Sequence, residues 1–432
     1  ALYAFTGSNA TAIGSGAADA ATSAPYLTAV GKGALGVLID GTGNTAVGAE
    51  AGAAITGSDW GTFAGYSAGQ QTTGSRNTIF GALAGQFATT TDDCIAIGVS
   101  ALRAADSAGD NSDNATGNFN IAVGNYALDA ATTAQQNVAI GHQSASGLLT
   151  GINNTAVGSR SLVFANGAEN RNTAIGDHAA RFCDGVDDCV AIGFGALSGS
   201  NWSYSDGETA NATKPTGVKN IAIGSYALAS NRAGTLNVAI GFGACQAGIT
   251  TDSSVYIGDQ AAGLGVVTGN DNVVVGSYAG YDLTSGASNV LIGRDAGANF
   301  TNNASNIAIG HGALDAANDA ENSNVAIGVD ALGSETTGAD GCVAIGHLAL
   351  EDQNRAASAN TAVGYTALRN LGSGVTYGGT RNTALGYEAG GSGVFGGGSN
   401  GNGDDNTLIG YSAGKVITTG YNNVCVGANA GI

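Results

Sequence analysis

The stretch Asn137-Val138-Ala139-Ile140-Gly141-His142-Gln143-Ser144-Ala145 decides the fold, because its first five residues return, with small changes, along the whole chain. Close copies are Asn220-Ile221-Ala222-Ile223-Gly224 and Asn324-Val325-Ala326-Ile327-Gly328. From Gly14 to Gly427 there are 23 such motif glycines, and 18 of the 22 intervals between them span 16, 17 or 18 residues. Self-similarity at a short fixed period means a stack of equivalent units, each in contact only with its neighbours.

Side chains of an extended chain alternate between two faces. Val138 and Ile140 therefore share one face, while Asn137, Ala139 and Gly141 share the other. The β-branched face reads as the buried core. The opposite face is uniformly small and admits a second backbone at close range. After the glycine an Ala-Leu or Ala-Gly pair follows, as in Tyr365-Thr366-Ala367-Leu368 and Tyr411-Ser412-Ala413-Gly414, and this pair is expected to begin a second short strand. Polar turns such as Thr72-Thr73-Gly74-Ser75 close the unit. A helix is excluded, because Gly, Asn, Thr and β-branched residues dominate and the pattern has period two rather than 3.6.

The expected fold is all-β: a parallel β-roll or β-solenoid of about 23 rungs, each of 17–18 residues, filling 1–432 as one elongated domain. Rungs stacked at ~4.8 Å would make a rod on the order of 110 Å long. Equivalent residues then fall into columns, and Asn137, Asn220 and Asn324 belong to a hydrogen-bonded asparagine ladder beside the Ile140/Gly141, Ile223/Gly224 and Ile327/Gly328 columns. So thin a rung encloses little volume. Three chains packed about a common axis would bury the alanine-glycine face, so a homotrimer is the preferred arrangement; the alternative packs that face inside a flattened monomeric solenoid.

Composition narrows function by exclusion. The chain carries 14 basic and 33 acidic residues, a formal net charge of −19, so no basic stripe exists to neutralise nucleic-acid phosphates or an anionic membrane. No apolar run reaches the 18 residues of a bilayer span, so membrane insertion is not expected. With 43% hydrophobic residues the chain is not disordered. Low charge with an acidic excess suits a salty or extracellular setting. The lack of methionine and of a basic leader reads as a processed product or a segment of a longer protein.

Val138-Ala139-Ile140-Gly141, Val325-Ala326-Ile327-Gly328 and Val343-Ala344-Ile345-Gly346 resemble the head repeat of YadA-like trimeric autotransporter adhesins, and similar arrays occur in predicted phage tail fibres. The resemblance covers residues 9 to 432. It implies a left-handed parallel β-roll, three chains to a head, used for attachment to host surfaces. The period here exceeds that of the usual head repeat, so larger turns are expected.

Four intervals are long, placing loop insertions near 103–119, 198–219, 369–381 and 391–405. Insertions in a solenoid emerge as loops, often on the binding face. The longest holds Trp202, Tyr204, Asp206, Glu208 and Lys214: a candidate surface-binding loop whose aromatic pair either stacks on a sugar or pins the loop to the rod. Asp106, Asp110 and Asp113, with Asn114, offer hard oxygen ligands, as do Asn402, Asp404 and Asp405. Calcium would suit them, yet neither set has a known calcium spacing, so a solvated acidic loop is the preferred reading and no cofactor is expected. Cys94, Cys189 and Cys342 stand at the asparagine position, and Cys183 and Cys189 are spaced to close a local disulfide. His142, His178, His311 and His347 each follow a motif glycine by one or two residues and read as a column at a turn or trimer seam.

No nucleophile elbow, catalytic carboxylate pair or phosphate-binding loop is present, so no catalytic residue is assigned. The sequence points to a non-enzymatic extracellular structural fibre, on a cell or virion surface, that mediates attachment in the manner of a bacterial adhesin head or phage tail fibre. Its partners would be further copies of itself and a surface glycan or protein receptor. The competing class is a self-assembling extracellular filament or sheath subunit with a mechanical role. A carbohydrate-active solenoid enzyme would require acidic residues clustered on adjacent rungs.

Overall fold

The structure is a computed structural model that describes residues 7–104, 116–163, 168–199, 216–316, 321–334, 339–352, 358–371, 379–391, 403–417 and 420–431. The chain divides into two compact units, Ala1–Lys219 and Asn220–Ile432. The first carries strands β1 (Thr11–Ile13) to β11 (Val190–Ile192) and the second β12 (Ile221–Ile223) to β23 (Val424–Val426). Every strand is three residues long, and in each unit each strand pairs in parallel with the next, position to position: Val138 beside Thr155, Ala139 beside Ala156, Ile140 beside Val157. The fold is thus an all-β, 23-stranded parallel solenoid.

Why the strand stops after three residues is visible at the motif glycine. Gly141 has φ 136°, and a Cβ there would run into the carbonyl group of Gly158 in the next rung. Only glycine permits that approach. The chain then enters a turn in which non-glycine residues repeatedly adopt the left-handed conformation: Tyr126 (φ 60°), Leu128 (φ 49°) and Gln136 (φ 57°) in one rung. Such residues cost about 1–3 kcal/mol each. Here each donates its N–H to a carbonyl of an adjacent rung (Tyr126 to Val99 at 2.9 Å, Leu128 to Ser144 at 3.0 Å, Gln136 to Asn118 at 3.0 Å), so the strain is offset by a ladder that continues outside the strands.

Two expectations are corrected. The Ala-Leu pair after the glycine does not start a second strand; Ala127 and Leu128 lie in the left-handed turn, both fully buried. The faces divide as expected, but their assignment inverts. Ala139 is completely buried and Asn137 nearly so, whereas Ile140 is 40% exposed and Val138 is intermediate. A three-residue strand sends only its central side chain inward, so the small face is the core. Stacked Val and Ile shield one another along the outer column, which stabilises a sheet face without burying it fully. The alanine column therefore needs no second chain to cover it; it packs inside the monomeric coil.

That interior is filled by exchange between two columns: the strand centre and the residue four after the motif glycine. Where the centre is alanine, the partner is commonly leucine, as in Ala122/Leu128, Ala308/Leu314 and Ala362/Leu368, all buried. Where the centre is large, the partner is commonly glycine, as in Phe63/Gly69, Ile79/Gly85, Leu291/Gly297 and Leu408/Gly414, although Tyr256 faces Ala262. A Cβ at Gly85 would lie 2.6 Å from Ile79 Cδ1, and one at Gly414 2.5 Å from Leu408 Cδ2. In these rungs a large residue at one position accompanies a small one at the other, as close packing demands, whereas Ala46/Gly52 and Ala139/Ala145 carry two small residues.

Candidate functional site

The interior polar column sets the register of everything outside it. Asn137 Oδ1 accepts the backbone N–H of Asn154 (2.9 Å), and Asn137 Nδ2 donates to the Gly151 carbonyl (2.8 Å). Asn220 does the same for Asn237 (3.0 Å) and Gly234 (2.7 Å), and Asn324 for Cys342 (2.8 Å) and Ala339 (2.7 Å). All are buried, so each bond replaces water that the amide has lost. The cysteines at this position substitute chemically. Cys94 donates its N–H to Asn77 Oδ1 (3.0 Å), its sulfur accepts from Asn120 N (3.4 Å), and the thiol lies 3.6 Å from the Gly117 carbonyl. Burial pushes that thiol up to about 11. Cys183 and Cys189 are buried thiols not joined in a disulfide: Cys183 faces the Leu197 carbonyl, and Cys189 faces Asp187 and Gly217.

A second ladder, not foreseen from the sequence, runs two residues before the asparagine position. Here a side-chain oxygen accepts a backbone N–H of the preceding rung: Asp59 from Thr42 (2.7 Å), Asp92 from Ser75 (2.6 Å), Asp187 from Asn170 (2.6 Å), Asp252 from Thr235 (2.6 Å). One residue further on, Arg–Asp forks join successive rungs at Arg76–Asp93, Arg171–Asp188 and Arg381–Asp405, each bidentate. The arginine holds each aspartate carboxyl below its ordinary value, chiefly through the hydrogen bond. Asp404 and Asp405, considered for calcium, are committed in this way: Asp404 accepts from Thr380 N (2.7 Å) and Asp405 pairs with Arg381. The sequence signal was present in the recurring Asp, Asn and Ser at that offset.

Outside these ladders lie the exposed columns. In the first unit Arg103 donates to Gln86, Gln86 to Gln70 and Gln70 to Glu50, at 3.3, 3.0 and 3.0 Å, beside a shallow groove lined by Val37, Ala53, Thr73 and Thr89. In the second unit His311 sits 3.8 Å from both Asp295 and Asp330. Nearby Asp315 is pushed up to about 6, by burial first and then by the Asp330 charge. Downstream, the residues that directly follow four successive motif glycines stack: His347 on Tyr365 (centroids 5.3 Å, planes 6° apart), Tyr365 on Tyr387 (5.1 Å, 9°) and Tyr387 on Tyr411 (5.3 Å, 7°).

The other histidines make edge contacts, His142 with Tyr126 and His178 with Phe194, each at 6.2 Å. His142 and His178 belong to the first unit, and His311 and His347 to the second. Trp202, Tyr204, Asp206, Glu208 and Lys214 lie outside the described residues, as do Asp106, Asp110, Asp113, Asn114 and Asn402. Among the described residues no group of three or more His, Cys, Asp or Glu is placed to hold a metal ion, and no helix is long and apolar enough to cross a membrane. No protein-family model matches the chain, and no curated protein is significantly similar to it.

Proposed function

We propose that the chain is a non-enzymatic extracellular structural fibre, borne on a cell or virion surface, whose outward columns attach it to a cell or host surface. The observation that carries this reading is the division of labour within a rung. Core, asparagine ladder and left-handed turns are consumed in holding the coil, while the exposed positions repeat at one-rung spacing and vary freely in chemistry. A rigid periodic scaffold of that kind favours multivalent contact, in which many weak sites sum to firm attachment. The left-handed coil and the trimer belong to this proposal through the resemblance to YadA-like heads. The alanine column, already covered within one coil, no longer supports the trimer.

Light scattering of the purified chain, combined with its binding to intact cells, tests the proposal. Association that stops at three chains, together with saturable cell binding, supports it. Open-ended growth without cell binding favours the filament or sheath role. The Asp295–Asp315–Asp330 group favours one further reading, a carbohydrate-active enzyme, since these carboxylates come from successive rungs. Release of reducing sugar that Asp315→Asn abolishes would establish that reading in place of the non-enzymatic one.

A further inference from the structure

The ring column of the second unit differs from the rest of its surface. Other residues in the same position after the motif glycine are chemically mixed, for example Asp259, Ser277, Arg294 and Val329. Then four rungs in succession supply His347, Tyr365, Tyr387 and Tyr411. Tyr365, Tyr387 and Tyr411 remain 45%, 44% and 55% exposed. Their spacing of 5.1–5.3 Å exceeds the ~3.5–4.0 Å of full carbon contact, so no ring wholly covers the next. The backbone fixes each ring's place. The carbonyls of His347, Tyr365, Tyr387 and Tyr411 accept N–H groups from Thr366, Glu388, Ser412 and Asn429 of the following rung at 2.8–2.9 Å. The Tyr387 phenol is raised above its ordinary value by lost hydration, then by Glu388 and by the Tyr365 and Tyr411 phenols.

We propose that the His347–Tyr365–Tyr387–Tyr411 column is a binding track for an extended, neutral β-1,4-linked polysaccharide lying along it, one sugar to each ring. Three features select this occupant. The ring pitch matches the advance per residue of a fully extended β-1,4-linked pyranose chain, so each sugar meets one ring; successive sugars are turned over, and alternate ones repeat the same polar contacts. A pyranose offers C–H groups to the open part of an aromatic ring and hydroxyls to a phenol that both donates and accepts. The chain's net charge of −19 opposes an anionic polymer and leaves a neutral one unopposed. Stacking has already ordered the rings, so little side-chain freedom is lost on binding. An α-1,4-linked glucan coils and cannot follow a straight column of this pitch.

The inference deepens the attachment reading, and its failure is separable from the failure of that reading. Cell binding that survives loss of the rings leaves attachment intact and removes the track. Glycan binding without cell attachment does the reverse. The experiment uses the whole chain with cello- and chito-oligosaccharides of two to six sugars, in calorimetry, and with cellulose, chitin and starch in pull-downs. Affinity should rise at least tenfold between two and four sugars and then level off, because four rings are present. Starch should not be retained. Tyr365→Ala/Tyr387→Ala should weaken binding at least tenfold, Tyr387→Phe less, and Trp60→Ala, at an exposed aromatic of the first unit, not at all. Circular dichroism of the double variant checks that the coil persists. Equal retention on starch, no binding to either β-1,4-linked series, or unchanged affinity in the folded double variant would each overturn the proposal. The cellulose and chitin arms decide whether an N-acetyl group is preferred.

Discussion

If a rung that pairs a large residue with a glycine fills its volume by exchange between two columns, swapping the pair should cost far less than its separate halves. Leu291 and Gly297 offer the test, with Ala308/Leu314 in the opposite arrangement one rung on; Leu291, Ala308 and Leu314 are all fully buried. Leu291→Ala alone empties a leucine-sized space and should cost about 2–5 kcal/mol. Gly297→Leu alone overfills the rung, since even its Cβ would lie 2.9 Å from Leu291 Cδ2, at about 1–3 kcal/mol. It also places a leucine at φ 57°, at about 1–2 kcal/mol more. The simple sum is about 4–10 kcal/mol. In the double variant the two packing costs largely cancel, and the left-handed cost remains, as Leu314 already bears it at φ 53°. The expected coupling is at least about 3 kcal/mol in favour of the double variant, at the upper end of pairwise terms. Because a repeat array can open in sections, local hydrogen exchange at Val290–Ile292 is the better assay, with urea unfolding as a check. Costs that add within about 0.5 kcal/mol would refute the shared-volume argument.

Other outcomes follow from the same geometry. Asn289→Leu strands the Asn306 N–H (3.0 Å) and the Asn303 carbonyl (2.8 Å) in the core, at about 1–3 kcal/mol for each group; Asn289→Ser should cost less, because Ser254 already accepts Asn272 N at such a position. Denaturant midpoints of the two variants decide this, and equal losses would contradict it. Asp315 has a raised folded value, so the folded chain holds its proton more tightly than the unfolded chain between about pH 4 and 6. Its contribution is therefore unfavourable at pH 7 and relieved as pH falls through 6; Asp315→Asn should raise stability at pH 7 and flatten the slope across that window, and an unchanged slope would count against it. Burial holds the Cys245 thiol up to about 12 and Cys183 well above its ordinary value, while Cys425 is only half-buried. A thiol reagent should modify Cys425 first and the others only on unfolding, as peptide mass mapping would reveal; early labelling of Cys183 would disagree.

The period, the parallel stacking and the membership of each face were legible because repetition fixes register, and a strand has only two sides. Which side was inward was not legible from residue type. Val and Ile usually mark a core, but here Ala139 and Asn137 do, because only the strand centre and the asparagine position point inward and much of the remaining volume is filled by Leu128-type turn residues. Those turn residues were missed as left-handed because Tyr, Leu and Gln carry no local signal for that conformation; adjacent-rung hydrogen bonds impose it. Of the candidate site, the histidine and tyrosine positions could be read from their shared offset to the motif glycine. Their stacking could not, since it requires four aromatic residues in consecutive rungs to share one orientation.

The inward placement of the small face underlies the core, the ladders and the exposed columns alike, and thiol accessibility tests it most directly. Ala139→Cys and Ile140→Cys put probes on adjacent residues of β8 (Val138–Ile140) that point to opposite sides. In the native chain the probe at 140 should react quickly and the probe at 139 only after unfolding, in line with the 40% and 0% exposure of the residues they replace. Rapid reaction at 139 with protection at 140 would contradict the account.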